Sequence, residues 1–377
     1  MAIRALVIDD TILYRTVIGA ILKGIPEIEL VGSAANGELG LAKIRQLQPE
    51  LVTLDVDMPV LDGISTLKKM KEEGLSSTVI MVSAKTQSGS QATIQALELG
   101  AFDFITKPEG SSADDSRAEL RRQLREVLNK YQQSPLSLRR ERGAVVAPQR
   151  TPPPSPSSAV GRLRERGIVT STPAATTAAP LRPKARLSHS RSALIAIGIS
   201  TGGPNALGQM LPRLPQNLSV PVIVVQHMPP IFTRTLAESL DRKCSLRVKE
   251  AEHGEILSRG TIYIAPGGRQ LALDSQRQLV VTDDPPENNC KPAVDYLFRS
   301  VAREYGASAT CVIMTGMGSD GRLGVETVRA AGGWIIAQDR DSSTVYGMPK
   351  VVVEAGLADE VASLDEMAAA IVRTVSG

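Results

Sequence analysis

Short apolar runs alternate with stretches of helical spacing over the first 131 residues of the chain. The runs predict five strands, at residues 3–8, 30–33, 51–54, 79–82 and 102–105. Between them, apolar residues recur three and four positions apart, as in Leu120, Leu124 and Leu128, which predicts amphipathic helices. Five such βα units in a row imply one parallel sheet with helices on both faces.

The same alternation resumes at residue 193. Further strands are predicted at residues 193–197, 220–225, 261–265, 278–282, 310–314 and 334–337. The fold class that follows is α/β, with two doubly wound parallel-sheet domains at residues 1–133 and 192–377. Residues 134–191 are predicted to be a flexible, disordered linker between them.

The predicted linker differs from both domains in composition and charge. It holds nine prolines, no Phe, Tyr or Trp, and eleven Arg or Lys against two Glu, a net charge of +9. Such a segment buries too little apolar surface to fold alone. Because the whole chain carries only +3, the remainder carries −6. The basic charge therefore lies on a tether rather than on a folded face, and no nucleic-acid partner is expected.

Composition limits the remaining classes. No apolar run approaches the ~18 residues of a membrane helix, and the first ten residues lead into a strand rather than a cleavable leader, so no membrane insertion and a cytoplasmic location are expected. Three widely spaced cysteines, Cys244, Cys290 and Cys311, form no C-x-x-C pair. We expect reduced, mostly buried thiols, with neither a disulfide framework nor a thiolate metal site.

Acidic residues gather at the ends of two strands in the first domain. Asp9 and Asp10 follow the first strand, and Asp55 follows the third. The carboxyl ends of parallel strands form the ligand-binding edge of such a sheet. Clustered carboxylates repel each other unless a cation lies among them, and an all-oxygen set suits Mg²⁺. Lys107, after the fifth strand, supplies a further positive charge.

Together, Asp9-Asp10, Asp55, Ser83 and Lys107-Pro108 resemble the receiver domain of bacterial response regulators, over residues 1–131. The resemblance implies that Asp55 accepts a phosphoryl group from a sensor histidine kinase, and that Ser83 and Lys107 contact the phosphoryl oxygens. It also implies that Asp10, Asp55 and the Asp57 carbonyl bind Mg²⁺. Phe104 matches the aromatic switch position, although its spacing fits plain core packing equally well.

A glycine-rich segment opens the second domain. In Gly198-Ile199-Ser200-Thr201-Gly202 an apolar run turns into a predicted helix, and the spacing matches a nucleophile elbow. An ordinary glycine-rich turn is the alternative. The base for such a serine must come from three histidines, of which His189 lies in the linker and His253 lies among acidic residues. His227 follows the apolar run 220–225, at a strand end, and is the favoured base.

The acid that orients this base is expected at another strand end. The segment after residue 314 reads Thr-Gly-Met-Gly-Ser-Asp-Gly and contains Asp320. Its glycines allow backbone amides to approach a substrate oxygen while Asp320 faces the imidazole. A simple turn aspartate is the alternative.

Three segments, at residues 198–204, 226–230 and 315–321, resemble the catalytic domain of chemotaxis protein-glutamate methylesterases. The resemblance covers residues 192–377 and extends to the segments 263–267 and 346–349. It implies that Ser200 is the nucleophile, His227 the general base and Asp320 its orienter, with the Thr201 and Met317 amides as oxyanion donors. Two departures, Ile199 and the segment 290–295, leave these residues in place but put receptor recognition in doubt.

The two resemblances together imply an esterase under phosphoryl control. The family reaction is hydrolysis of glutamate 5-methyl esters on chemoreceptors, which releases methanol, with deamidation of receptor glutamines as a related activity and no cofactor for the esterase. We expect the unphosphorylated receiver to pack over the Ser200 cleft. Two alternatives remain: a response regulator with a non-catalytic output domain, and a serine hydrolase that acts on another ester or amide.

Overall fold

The computed structural model describes residues 2–108, 112–135, 137 and 191–376. Most of the predicted linker, His189 included, lies outside these ranges. The predicted fold class is confirmed: two parallel sheets, each flanked by helices, account for the two halves of the chain.

The N-terminal half is a five-stranded sheet in the order β2-β1-β3-β4-β5, with every neighbouring pair parallel. Its strands are β1 Ile3–Ile8, β2 Ile28–Ala34, β3 Leu51–Asp55, β4 Thr78–Ser83 and β5 Asp103–Thr106. Its helices are α1 Ile12–Lys23, α2 Gly37–Leu47, α3 Gly63–Glu72, α4 Gln87–Glu98 and α5 Ala113–Gln132. Four of the helices begin at polar caps whose side chains accept a backbone N–H: Asn36, Asp62, Thr86 and Ser112.

The C-terminal half is a seven-stranded parallel sheet in the order β14-β13-β12-β6-β7-β9-β8. Its strands are β6 Leu194–Ile199, β7 Val222–Gln226, β8 Arg247–Glu250, β9 Thr261–Ile264, β12 Ala309–Ile313, β13 Trp334–Gln338 and β14 Glu360–Ala362. Its helices are α6 Gly203–Met210, α7 Phe232–Asp241, α8 Val294–Tyr305, α9 Arg322–Ala330, α10 Met348–Glu354 and α11 Leu364–Ser376.

A small hairpin departs from the predicted alternation. β10 Gln270–Leu273 and β11 Leu279–Thr282 pair antiparallel outside the main sheet, so the strand predicted at 278–282 is present but belongs to this hairpin. The sequence did not predict β8, β10 or β14. Two of these three short strands, β8 and β14, lie at the sheet edges and carry charged residues, which weakens their apolar pattern.

The two halves contact each other through α4 and β5 on one side and α6 and α7 on the other. Phe104 packs against Phe232 with ring centroids 4.6 Å apart. Ser90 Oγ lies 2.9 Å from Thr235 Oγ1. Buried apolar side chains from both halves form one continuous cluster across this contact. Phe104, on the edge strand β5, therefore lies in the contact between the two domains.

Candidate functional site

The strand order places the three predicted esterase residues side by side. β12, β6 and β7 are consecutive neighbours in the sheet, and each candidate residue follows the carboxyl end of one of them. Ser200 directly follows β6, His227 directly follows β7, and Asp320 lies in the loop between β12 and α9. The site therefore follows from topology, since loops at one edge of a parallel sheet converge.

Close backbone packing shapes the turn at Ser200. The Ser200 N–H donates to the Thr315 carbonyl at 2.9 Å. Gly202 has φ +79°, and a Cβ there would lie 2.3 Å from Thr344 Oγ1. A Cβ on Gly203 would lie 1.9 Å from Gln226 Oε1, and Gln226 Nε2 donates to the Ser200 carbonyl at 3.0 Å. The glycines are thus required for the neighbouring loops to approach this serine.

His227 and Asp320 form a hydrogen-bonded pair, with Nε2 2.8 Å from Oδ2. Asp320 is buried, and it accepts further hydrogen bonds from the backbone amides of Val294, Asp295 and Gly321. Burial would raise the pKa of Asp320, but the hydrogen bond from His227 and these amides outweigh it, so the pKa is lowered. Asp320 therefore remains an anion that can orient the ring.

The pKa of His227 is raised to about 9. Burial acts in the opposite direction, but the hydrogen bond to Asp320 and the nearby Cys290 thiol together outweigh it. At neutral pH the ring is therefore mostly protonated in this conformation, and it becomes a free base only as the pH rises.

Ser200 is adjacent to this pair but is not bonded to it. Within the described part of the chain, Ser200 Oγ makes no hydrogen bond, and His227 Nδ1 instead faces Cys290 Sγ at 3.6 Å. The structure thus joins the base and its orienter by a hydrogen bond, and no such bond joins the base to the nucleophile. His253 is elsewhere: its Nδ1 accepts the Val281 amide at 3.3 Å.

The two predicted oxyanion donors lie on the loops beside Ser200. Neither the Thr201 nor the Met317 amide donates a hydrogen bond to another residue of the described ranges. Free amides next to a nucleophile are what a developing oxyanion requires.

Sequence reasoning missed a group of residues beside Asp320. Asn288 Nδ2 donates to Asp320 Oδ1 at 3.0 Å and to Asp295 Oδ2 at 2.9 Å, so one amide links two carboxylates. Burial and the neighbouring Asp320 raise the pKa of Asp295. The expectation of mostly buried thiols was wrong for Cys244 and Cys290, which are both partly exposed, and Cys290 also contacts the base. The only signal in the sequence for this group was that residues 290–295 depart from the methylesterase pattern.

The predicted phosphorylation site assembles at the edge of the first sheet. Lys107 Nζ lies 2.7 Å from Asp55 Oδ2 and 3.2 Å from Asp9 Oδ2. Burial raises the pKa of Asp55 to about 6, and the neighbouring Asp9 adds to the shift, while Lys107 opposes it. One lysine therefore does not offset the charge of the buried carboxylates.

These acids fit a divalent cation. Oxygens of Asp9, Asp10 and Asp55 lie within 4.8 Å of one another. Burial raises the pKa of Asp9 as well, against the effect of Lys107, so this single lysine does not fully compensate the two buried carboxyls. An all-oxygen, charge-deficient cluster is the donor set that Mg²⁺ prefers. Asp57 is exposed in the loop after β3.

Ser83 and Phe104 point toward the domain contact. Ser83 Oγ donates to the Gly89 carbonyl in α4 at 3.1 Å rather than to Asp55. Phe104 packs on Phe232 of α7. Both residues that the receiver resemblance singled out therefore touch the elements that contact the second domain.

The first domain also covers the mouth of the Ser200 site. Thr201 Oγ1 lies 3.5 Å from Asp103 Oδ2. Val345 is buried in the apolar cluster of the first domain, and Met317 packs against it. Ser200 itself is only 8 % exposed.

Among the residues placed by the structure, no helix is long and apolar enough to cross a membrane.

Comparison with known proteins gives the same two parts. Residues 195–371 match the family described as CheB methylesterase, and residues 5–132 match the response regulator receiver domain. The protein-glutamate methylesterase/protein-glutamine glutaminase of Desulfotalea psychrophila is 45% identical, over 99% of this chain and 98% of its own. The relative of the same name from Trichodesmium erythraeum is 39% identical, over 99% of both chains. The solved CheB methylesterase catalytic domain of Thermotoga maritima is 42% identical and covers 48% of this chain and 98% of its own, with a TM-score of 0.47. Both resemblances inferred from the sequence are confirmed.

Proposed function

Because the chain belongs to the protein-glutamate methylesterase/protein-glutamine glutaminase family, we propose that Ser200, His227 and Asp320 carry its reaction and that Asp55 controls it. The enzyme hydrolyses glutamate 5-methyl esters on chemoreceptors to glutamate and methanol, and it deamidates receptor glutamines. The observation that carries the assignment is the His227–Asp320 pair at the strand end beside the Ser200 turn. We place its domains at 1–133 and 192–377.

The mechanism follows from the roles that the geometry allows. Ser200 Oγ attacks the ester carbonyl while His227 takes its proton at Nδ1, since Nε2 is held by Asp320. The imidazole ring must first move so that its Nδ1 faces Ser200 Oγ instead of Cys290 Sγ. The Thr201 and Met317 amides stabilise the oxyanion. His227 then protonates the leaving methoxide, and water releases glutamate from the acyl-Ser200 intermediate by the same route in reverse.

Control begins at the carboxylate cluster of the receiver. Asp55 accepts the phosphoryl group of a sensor histidine kinase, and Asp10, Asp55 and the Asp57 carbonyl would hold the Mg²⁺ that offsets the charge of the transferring group. Lys107, already bonded to Asp55, contacts the phosphoryl oxygens together with Ser83. Both the kinase and the receptor tails are reached from the cytoplasm, where we place the protein.

Regulation follows from the covered site. A Ser83 hydroxyl that turns toward the phosphoryl group gives up its bond to Gly89, at the start of the helix that packs on the second domain. We infer that this weakens the contact and shifts the population toward an open form in which Ser200 is accessible.

Methanol release from methylated receptor membranes tests the activity. The full-length protein should release methanol, more so with a small phosphodonor, and Ser200→Ala should lower the rate by about 10⁴-fold or more. Ser88→Ala, at an exposed serine of α4, is the control and should keep the wild-type rate. Release that persists in Ser200→Ala, or an enzyme that cleaves only small esters, would contradict the assignment of nucleophile or substrate.

Glu98 offers a test of the covering contact. Its carboxylate accepts a hydrogen bond from Ser239 Oγ at 2.8 Å and pairs with Lys243 at 2.5 Å. Loss of these contacts weakens the closed form by about 1–2 kcal/mol, so Glu98→Ala should raise unphosphorylated activity about 5- to 30-fold. The exposed Glu72→Ala, on α3, should leave it unchanged. Equal activities in both variants would refute inhibition by this contact.

A further inference from the structure

The three cysteines have different surroundings. Cys311 is fully buried in the core, and burial raises the pKa of Cys244 to about 11. Cys290 instead lies beside an imidazole nitrogen, with its Sγ 3.6 Å from Nδ1 of His227. This thiol contacts the base that the esterase needs.

We propose that His227 Nδ1 and Cys290 Sγ form a binding site for a borderline-soft divalent metal ion such as Zn²⁺, and that the bound ion inhibits the esterase. Zn²⁺ binds thiolate sulfur at about 2.3 Å and imidazole nitrogen at about 2.0–2.1 Å, so two such ligands of a tetrahedral ion lie about 3.6 Å apart. The observed separation has this length before any movement of either side chain.

Asp320 completes the arrangement from the far side of the ring. Metal-bound histidines commonly donate their other ring N–H to a carboxylate, which fixes the tautomer and strengthens the ligand. The 2.8 Å contact between His227 Nε2 and Asp320 Oδ2 supplies this support. The Asp320 oxygens already accept hydrogen bonds from three backbone amides and Asn288, so Asp320 orients the ligand rather than binding the ion.

The backbone around Cys290 holds the thiol in place. Asn288 and Asn289 both adopt left-handed conformations, with φ +53° and +59°, as the two central residues of a tight turn do. Glu287 and Cys290 exchange backbone hydrogen bonds at 2.8 and 3.1 Å across that turn. Because Asn288 is also bonded to Asp320, the turn fixes the thiol relative to the imidazole.

Binding and catalysis exclude each other at this site. The ion takes the place of the Cys290 thiol proton and of any proton on His227 Nδ1, and these protons pass to solvent. The occupied Nδ1 is the nitrogen that must accept the Ser200 proton, which is why inhibition rests on the proposed function. The receiver cluster of Asp9, Asp10 and Asp55 has only oxygen ligands and differs in its metal preference.

Cobalt titration tests the site without reference to activity. Full-length protein in excess Mg²⁺, which fills the receiver cluster, is titrated with Co²⁺, and a thiolate-to-cobalt charge-transfer absorption is expected. Cys290→Ser should abolish this band, and Cys244→Ser, at the other partly exposed thiol, should keep it. A band that is absent from the wild type or unchanged in Cys290→Ser would overturn the metal site.

Inhibition is then measured on receptor membranes, relative to the activity of each variant with EDTA. Zn²⁺ should inhibit the wild type and Cys244→Ser, and EDTA should restore both. Cys290→Ser should need at least about tenfold more Zn²⁺ for half-inhibition. Equal sensitivity of all three proteins would overturn the inhibitory role. A cobalt band in an enzyme with no esterase activity would support the metal site and count against the proposed function alone.

Discussion

Two buried aspartates at equivalent edges of the two sheets have opposite acidities. Asp55 is the last residue of β3 and Asp320 lies in the loop after β12, and each is at most 3 % exposed. Asp55 has one cationic partner and two carboxylate neighbours, and burial raises its pKa to about 6. Asp320 accepts hydrogen bonds from His227 and three backbone amides, and its pKa is lowered. Burial alone therefore does not set the charge of a carboxylate; the number of donors aimed at it does.

The difference matches the two proposed roles. A carboxylate that must bind a metal and attack phosphorus benefits from few protein donors, because its lone pairs remain available. A carboxylate that only orients an imidazole benefits from full hydrogen bonding, which keeps it charged and fixed. The same sheet edge thus supplies a reactive acid in one domain and a fixed anion in the other.

Removing the charge at Asp320 should give the largest effect. Asp320→Asn keeps the shape but can donate to His227, which favours the wrong tautomer, so kcat for methyl ester hydrolysis should fall by about 10⁴-fold. Asp341→Asn, at an exposed position of the same domain, should keep the wild-type rate. A fall of less than tenfold in Asp320→Asn would show that orientation of the base does not depend on this anion.

The second expected effect is a separation of the two sites by pH. Since only unprotonated His227 accepts the Ser200 proton, kcat/KM should rise about tenfold from pH 7 to pH 8 and level off above pH 9. Phosphorylation of Asp55 by a small phosphodonor at low Mg²⁺ should fall only below pH 6, because the protonated carboxyl is no nucleophile. Both rates are measured across pH 5–10. If kcat/KM and the phosphorylation rate rose over the same pH range, the two sites would not differ in acidity as described.

The smallest expected effect concerns stability. A folded-state pKa of about 6, above the ordinary 3.8, means that the charged Asp55 destabilises the fold above pH 6 and that this penalty disappears below about pH 4. Without Mg²⁺, Asp55→Asn should therefore stabilise the receiver at pH 7 by about 1–2 kcal/mol, less than the full shift because the bond to Lys107 weakens. Urea unfolding measures the difference, and the exposed Glu29→Gln should stay within about 0.5 kcal/mol of wild type. If Asp55→Asn were less stable than wild type at pH 7, the charged Asp55 would stabilise the fold rather than destabilise it.

The sequence predicted those parts of the site that lie at strand ends. Ser200, His227 and Asp55 each follow an apolar run, so a periodic pattern and a motif sufficed to place them. Cys290 and Asn288 could not be placed in this way, because both lie in or beside a turn with two left-handed asparagines, and Asn288 bonds to Asp320, 32 residues further along the chain. The contact between Phe104 and Phe232 depends on how two domains dock, which no local pattern encodes.

The strands likewise divide into those that a local apolar pattern predicts and those that it does not. Buried parallel strands such as β3 and β12 were predicted within one residue of their ends, because both faces are apolar. The short β14 was missed because its exposed edge position tolerates polar residues.

Gly203 and Gln226 have a consequence for how this sequence can vary. Any side chain at residue 203 would occupy the space of Gln226 Oε1, and Gln226 is the residue that donates to the Ser200 carbonyl. A change at either position alone therefore disturbs the backbone of the nucleophile, and only a paired change could preserve it. In a lineage of such enzymes, these two positions are expected to be inherited as one unit, although 22 residues separate them along the chain.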